Sequence, residues 1–498
     1  MAMIVNRKFP LTILGWWGTH GALIQETMNG LLFFLLCVLL LVGGYAVYGR
    51  VAERVFHGKA DLEMPCKRHA DGVDFVPLPT WKVFMIQLLN IAGLGPVLGA
   101  VSGCLFGPVA LLWIVIGCIF AGAVHDFLSA MLCAYSGGKN LPELIGHWMG
   151  PVARHALRIT CVVMLVMIGV IFTRTPAEML GNITPLSATT FCVIILVYYF
   201  LATLLPIQTL IGRLYPFFAA LFIFMAVALM VMLPFCGHEV LPNLDFFTNM
   251  HPKGLPVWPL IFVTISCGAI SGFHGTQSPL MVRCLQERRL MRPVFYGAMV
   301  TEGLVALIWA TVGLTLRSEL AGLAPGAAIS TASELMLGPV GGLIAVLGVV
   351  VLAITSGDTA LRVGRLIMAE SLHMEQAGIK NRLLLAVPIF AVVVLLFNID
   401  FNILWRYFGW ANQGLACLSL WMLTIMLRQR RRAYWLTLVP AMFMTVVCVT
   451  YLLFAPECGI HLDVLTSSLI GLGFLALVLV LFWCNPRRTF SSIPEDLQ

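Results

Sequence analysis

Leu88-Leu89-Asn90-Ile91-Ala92-Gly93-Leu94-Gly95-Pro96 interrupts one long apolar run of a 498-residue chain, and Ile265-Ser266-Cys267-Gly268-Ala269-Ile270-Ser271-Gly272-Phe273-His274-Gly275 interrupts another. Glycine and proline at this density break a helix and leave backbone N–H and C=O groups without intrahelical partners. In hydrocarbon such groups persist only where protein, water or a ligand satisfies them. Interrupted spans at corresponding places in two halves of a chain point to a transport site near mid-membrane.

Composition agrees with a membrane-embedded chain. It is 60% hydrophobic and 11% charged, whereas a soluble domain is about half apolar and a quarter charged. Apolar runs of roughly 20 residues recur, the length that crosses ~30 Å of hydrocarbon. Thirteen are read, at 28–48, 83–104, 108–132, 158–180, 188–205, 215–235, 256–278, 293–316, 338–358, 383–398, 402–427, 433–453 and 464–483. The fold class expected is therefore an all-α polytopic membrane protein, with no separate soluble domain.

Placement decides what the net charge of +7 means. With the N-terminus outside, 24 of the 30 Lys and Arg fall on cytoplasmic segments, among them the Arg428, Arg430, Arg431 and Arg432 cluster. The positive-inside rule then sets the N-terminus in the periplasm and the C-terminus in the cytoplasm. Basic residues read as topology signals, so no nucleic-acid partner is expected. Residues 1–27 carry Arg7 and Lys8, but Leu11–Trp17 is too short for a signal-peptide core, and the first span is expected to be retained. The 14 Cys are scattered without a CxxC pair and read as small buried hydrophobes, not zinc ligands. Cys236 and Cys458 both fall outside, where a bridge between them is chemically allowed. Trp16, Trp17, Trp258 and Trp405 read as interface anchors.

Numbered in order, the second span carries the first break and the seventh carries the second. Five spans separate their starts, and an odd number inverts orientation. Residues 83–235 and 256–427 thus form two five-helix units of opposite topology, between an N-terminal segment 1–82 and a C-terminal pair of spans in 428–498. This is a LeuT-type 5+5 inverted repeat, spans 2–6 against spans 7–11. Each second helix carries an acidic residue after a Gly-Ala pair: Gly122-Ala123-Val124-His125-Asp126 and Gly297-Ala298-Met299-Val300-Thr301-Glu302.

Blocks across residues 70–430 resemble the carbon starvation protein A family of bacterial inner-membrane transporters. They are Asp71-Gly72-Val73-Asp74-Phe75-Val76-Pro77, Ile91–Pro96, Gly122–Phe127, Ile265–His274, Asp358-Thr359-Ala360-Leu361-Arg362 and Phe408-Gly409-Trp410-Ala411-Asn412-Gln413-Gly414-Leu415-Ala416, in family order. The resemblance implies uptake of peptides or pyruvate on a cation gradient when carbon is scarce. The chain departs from large members at Ile86-Gln87, where they have a His pair, and at His125, where they have Gln. It also has a shorter run between Phe273-His274 and Pro279. It resembles a compact branch.

Candidate substrate contacts gather at the breaks. Helix starts present N–H groups to anions and helix ends present carbonyls to cations. A carboxylate is expected on N–H groups near Ala92, Gly93 and Gly95 and near Ser271, Gly272 and Phe273, with Asn90 and Ser266 adding hydrogen bonds. His274 lies in the second break, and Asn412 and Gln413 on span 11 are expected to line the pathway. The competing explanation is that the glycines only allow close helix packing.

Thr355, Ser356 and Asp358 place three oxygen side chains on one stretch of span 9, a set that suits a hard cation, Na⁺ or H⁺. The rival reading pairs Asp358 with Arg362 at i,i+4. His125, Asp126 and Glu302 are further coupling candidates, because intramembrane titratable groups are functional by default. No organic cofactor is expected; the partners are a small-molecule substrate, the coupling ion and membrane lipids. Three alternatives stand beside the transporter: a channel, a membrane sensor, and an intramembrane hydrolase built on Ser271 and His274.

Overall fold

The structure is a computed structural model that describes residues 30–58, 62–206, 211–455 and 459–484. The expectations for residues 1–27, including Trp16 and Trp17, and for Cys458 lie outside these residues. Helices carry the fold, and no strand occurs among the described residues.

The first half comprises α1 (Gly30–Phe56), α2 (Thr80–Ala92), α3 (Gly95–Phe106), α4 (Val109–Tyr135), α5 (Leu141–Met149), α6 (Pro151–Ile183), α7 (Ala188–Leu204) and α8 (Ile211–Phe235). The second comprises α9 (Val257–Thr264), α10 (Gly272–Val282), α11 (Arg288–Thr315), α12 (Pro325–Ser371), α13 (Ile379–Leu396) and α14 (Phe401–Gln429), followed by α15 (Trp435–Phe454) and α16 (Val464–Cys484).

Ten of these helices are long and apolar enough to cross a membrane, and the α2/α3 pair, bent by 52°, raises the number to eleven. Three expected spans differ from the reading of apolar runs. The run at 188–205 is a 17-residue helix, short for a bilayer. The run at 256–278 is divided into α9 and α10. The run at 338–358 underestimates its helix: α12 extends to Pro325 and Ser371 and kinks at Gly338, whose φ is +69° ahead of Pro339. Polar residues at both ends of that helix hid its length.

The chain is a multi-pass membrane protein whose burial is inverted where it meets lipid. Leu39, Val47, Phe217, Phe224, Leu477 and Val480 are exposed on α1, α8 and α16. Polar residues are enclosed instead, and every residue of α10 is buried. α6 packs along α12, and α10 lies against α2, α4 and α14. The broken helices thus sit at the centre of the bundle. Trp258, read as an interface anchor, is half-buried and donates to Ser468 Oγ at 2.9 Å.

Candidate functional site

The first break begins at Gly93, whose φ of +50° and ψ of −147° suit glycine alone. Ser356 Oγ donates to the Leu89 carbonyl at 2.7 Å, so α12 satisfies an acceptor that the end of α2 leaves open. The second break is knitted from α4 and α14. Trp113 Nε1 donates to Ile265 O at 2.9 Å. Gln413 Nε2 donates to Phe262 O and Ile270 O, each at 3.1 Å. Asn412 Oδ1 accepts from Phe273 N at 2.7 Å and from Ser271 Oγ at 3.0 Å.

A cavity of about 810 Å³ reaches both breaks. Its floor includes Ala92, Gly93, Gly95, Ser266, Cys267 and Phe273, and its walls include Phe172, Thr175, Trp405 and Phe408. It runs outward to Glu178, His251, Pro252 and Lys253, and Glu178, Pro252 and Lys253 are exposed. No charged side chain is among the floor residues. Burial, with the neighbouring cations Lys253, Arg317 and Arg406, holds the His251 imidazole below its ordinary value, which favours its neutral form at the mouth.

The structure sorts the candidates. Ala92, Gly93, Gly95, Ser266 and Phe273 line the cavity, whereas Asn90, Ser271, Gly272, His274, Asn412 and Gln413 are not among its lining residues. Asn412 occupies the N-terminus of α10 that was expected to receive a carboxylate. Trp405, read as an interface anchor, stands on the cavity wall, with its ring stacked on Phe401. Asn90 is fully buried with neither amide atom paired.

Behind the floor lies a buried polar cluster. Asp126 bonds His125 Nδ1 through Oδ1 and His274 Nδ1 through Oδ2, both at 2.8 Å. His274 Nε2 is 3.5 Å from Glu302 Oε2. Widened helical turns precede both acidic positions, at Cys118–Gly122 in α4 and Arg292–Tyr296 in α11. Such turns re-aim side chains and recur at functional sites. Ser271 donates to Asn412, not to His274, so these two do not form a nucleophile–base pair.

Asp358 is fully buried and accepts from the Tyr215 hydroxyl at 2.6 Å, with its other oxygen unpaired. Thr355 Oγ1 returns to Leu352 O at 3.0 Å and Ser356 turns to Leu89, so the three oxygens do not converge on one point. Arg362 pairs elsewhere: its guanidinium is 3.4 Å from Asp74 Oδ1 and donates to Ala202 O. Arg365 is 3.6 Å from the other Asp74 oxygen. Tyr215 and Asp74 were missed in the sequence. Asp74 stood within a quoted motif, and nothing local marks Tyr215 as the partner of a residue 143 positions away.

Away from the cavity, side-chain contacts join the helices among the described residues. Gln87 Nε2 and Ser278 Oγ meet at 3.5 Å between α2 and α10. Arg283 donates to Gly138 O at 2.8 Å, and its guanidinium lies over Phe75. The loop that holds Asp74 between Arg362 and Arg365 closes the same end.

The family model described as carbon starvation protein CstA matches residues 29–185, 159–336 and 323–451. An uncharacterized membrane protein of Haemophilus influenzae is 39% identical over 57% of this chain and 91% of its own length. The peptide transporter CstA of Bacillus subtilis is 28% identical, over 57% of this chain and 58% of that protein. The pyruvate/proton symporter BtsT of Escherichia coli is 24% identical, over 53% and 46%. The match to these two transporters thus spans about half of their length. Among solved structures, the nucleobase-cation-symport-1 transporter Mhp1 superposes with a TM-score of 0.50 at 13% identity, over 84% of this chain and 96% of that one. The manganese transporter of Eremococcus coleocola gives 0.50 at 14%, over 83% and 97%. These likenesses concern the fold alone, which is that of known transporters.

Proposed function

The chain belongs to the carbon starvation protein CstA family, and on that premise we propose that it is a secondary active transporter importing a small carbon source, a peptide or a pyruvate-like carboxylate, by proton symport. One observation carries the reading: a single cavity connects one face of the bundle to both helix breaks and ends there. A channel needs a continuous polar path, whereas here the opposite end is packed shut, as alternating access requires.

The LeuT-type repeat supplies the frame for this reading. Both first helices are broken, both second helices carry a widened turn before their acidic residue, and a short helical arm precedes each third helix. Those arms are α5 and the segment of α12 before Gly338. Placing the N-terminus in the periplasm opens the cavity outward, on the face poor in basic residues. That orientation suits uptake across a bacterial inner membrane.

Substrate rests on the floor formed by Ala92, Gly93, Gly95, Ser266 and Phe273. With no charged side chain there, backbone N–H groups and hydroxyls select a small carboxylate, and the aromatic wall packs its apolar part. Coupling falls to Asp358. Its unpaired oxygen can take a proton, Tyr215 fixes its position, and Ser356 on the same helix holds the first break. A proton is favoured over Na⁺ because Thr355, Ser356 and Asp358 do not form a cage, and because a relative is named a proton symporter.

The test uses reconstituted vesicles. Asp358→Asn should retain exchange of labelled substrate while losing accumulation on an imposed proton gradient. Undiminished accumulation with the parent's pH dependence would place coupling elsewhere.

A further inference from the structure

Cys267, His274 and Glu302 reach one point from three pieces of chain: the second break, the first turn of α10 and the body of α11. Their sulfur, imidazole nitrogen and carboxylate oxygen all lie within 4.8 Å of one another. His274 and Glu302 are fully buried, yet His274 Nε2 and both Glu302 carboxylate oxygens have no hydrogen-bond partner. Unpaired polar atoms converging in hydrocarbon are costly unless something satisfies them. Asp126 meanwhile holds Nδ1 of His274 at 2.8 Å, which leaves Nε2 directed at Glu302.

We infer that Cys267, His274 and Glu302 form a binding site for one divalent transition-metal ion of the zinc type, reached from the cavity past Cys267. Sulfur, nitrogen and oxygen together suit a borderline-soft ion and disfavour magnesium or calcium. Metal–ligand bonds of about 2.0–2.3 Å set tetrahedral ligand atoms about 3.3–3.8 Å apart. The 3.5 Å His274–Glu302 separation already matches, and the remaining edges close with side-chain shifts of about 1 Å.

The carboxylate behind the imidazole is the arrangement that orients metal-bound histidines. Among the ligands charge balances: a thiolate and a carboxylate with a neutral imidazole cancel a divalent ion, and the one charge left, on Asp126, is shared between hydrogen bonds to His125 and His274. Binding displaces the thiol proton, and Cys267 lines the cavity through which that proton leaves. Three protein ligands leave a fourth position for water or a carboxylate. The bound ion ties the second break to α11 and holds it in the arrangement seen here, so it acts as a brake on transport. Ion binding at this site goes beyond the transport reading and does not depend on it; only the brake rests on that reading.

The full-length protein in detergent, titrated with Co²⁺ as an optical probe, tests the site. One equivalent should bind with a thiolate-to-cobalt charge-transfer band that Zn²⁺ displaces. Cys267→Ser should remove the band, and Asp126→Asn should weaken binding about 10- to 100-fold. Melting of each metal-free variant separates a lost ligand from a lost fold. If Cys267→Ser does not fold, Glu302→Gln decides: its Co²⁺ affinity must fall, and an unchanged affinity overturns the site. Absence of the band in folded parent protein, or a band that Cys267→Ser leaves intact on another of the 14 Cys, overturns it too. Uptake assayed with a chelator present keeps the two claims apart. A band without uptake rejects only the transport reading, and uptake without a band rejects only the metal site.

Discussion

Gly95 and Cys267, one from each broken segment, touch directly: a Cβ on Gly95 would lie 2.2 Å from Cys267 Cβ and 2.3 Å from its Sγ. The two interruptions are thus one structural unit, and space at Gly95 is what lets them meet at the cavity floor. Gly95→Ala should cost about 1–3 kcal/mol by overpacking. Adding Cys267→Gly should recover much of that loss, because the clash is confined to one side chain. Thermal melting of the two single variants and the pair measures the coupling; additive effects would mean that the breaks do not bear on each other.

Gly272 meets a harder neighbour. An added Cβ would sit 2.3 Å from Ala416 N and 2.4 Å from Asn412 O, both backbone atoms of α14 that no rotamer change can move. Leu at this position should therefore prevent recovery of folded protein, and Ala should lower the melting temperature clearly. Normal expression and melting of Gly272→Leu would show that α10 and α14 separate more easily than their packing implies. For Gly272 the packing explanation thus accounts for the glycine, independently of any ligand.

Asn412 and Gln413 use opposite chemistry at the second break. Asn412 accepts from Ser271 and Phe273, while Gln413 donates to Phe262 and Ile270. Asn412→Asp keeps the acceptor, whereas Gln413→Glu in its ionised form cannot donate and leaves two carbonyls unpaired. An unsatisfied buried group costs about 1–3 kcal/mol. Melting should show Gln413→Glu as the more damaging change despite its equal size. Equal losses from both would contradict the assigned donor directions.

Orientation can be read by thiol labelling. Ser102 lines the cavity, whereas Gln87 is fully buried beyond the first break. After replacement of the exposed Cys236 and Cys484 and of the cavity-lining Cys267, Ser102→Cys should react with an impermeant reagent added outside cells, and Gln87→Cys should not. Labelling of Ser102→Cys only from the cytoplasmic side would reverse the topology.

The frame of this protein was legible because hydrocarbon imposes it: apolar run length located nearly every helix, glycines with Pro96 located the first break, and glycines alone located the second. What escaped depended on partners distant in sequence. Asp358 was weighed against Arg362 because they are four residues apart, yet Tyr215 and Asp74 took the two groups separately. Asn412 and Gln413 were legible as polar residues in a span, but not that they face backbone instead of the cavity. Cys267 stood inside the quoted break and read as a small hydrophobe, since only the fold brings Glu302 to it. The cavity-lining role of Phe172 and Thr175 had no local signal at all.

Transport through the broken helices is the central claim, and labelled uptake into vesicles containing the purified protein tests it most directly. Pyruvate and dipeptides are offered under an imposed proton gradient, then under a sodium gradient, and finally with unlabelled substrate trapped inside and no gradient. At least one of these substrates should accumulate saturably on the proton gradient and exchange by counterflow, with both activities lost when Ser266→Trp fills the cavity floor. Flux that neither saturates nor exchanges, or accumulation that Ser266→Trp leaves intact in folded protein, would contradict the account.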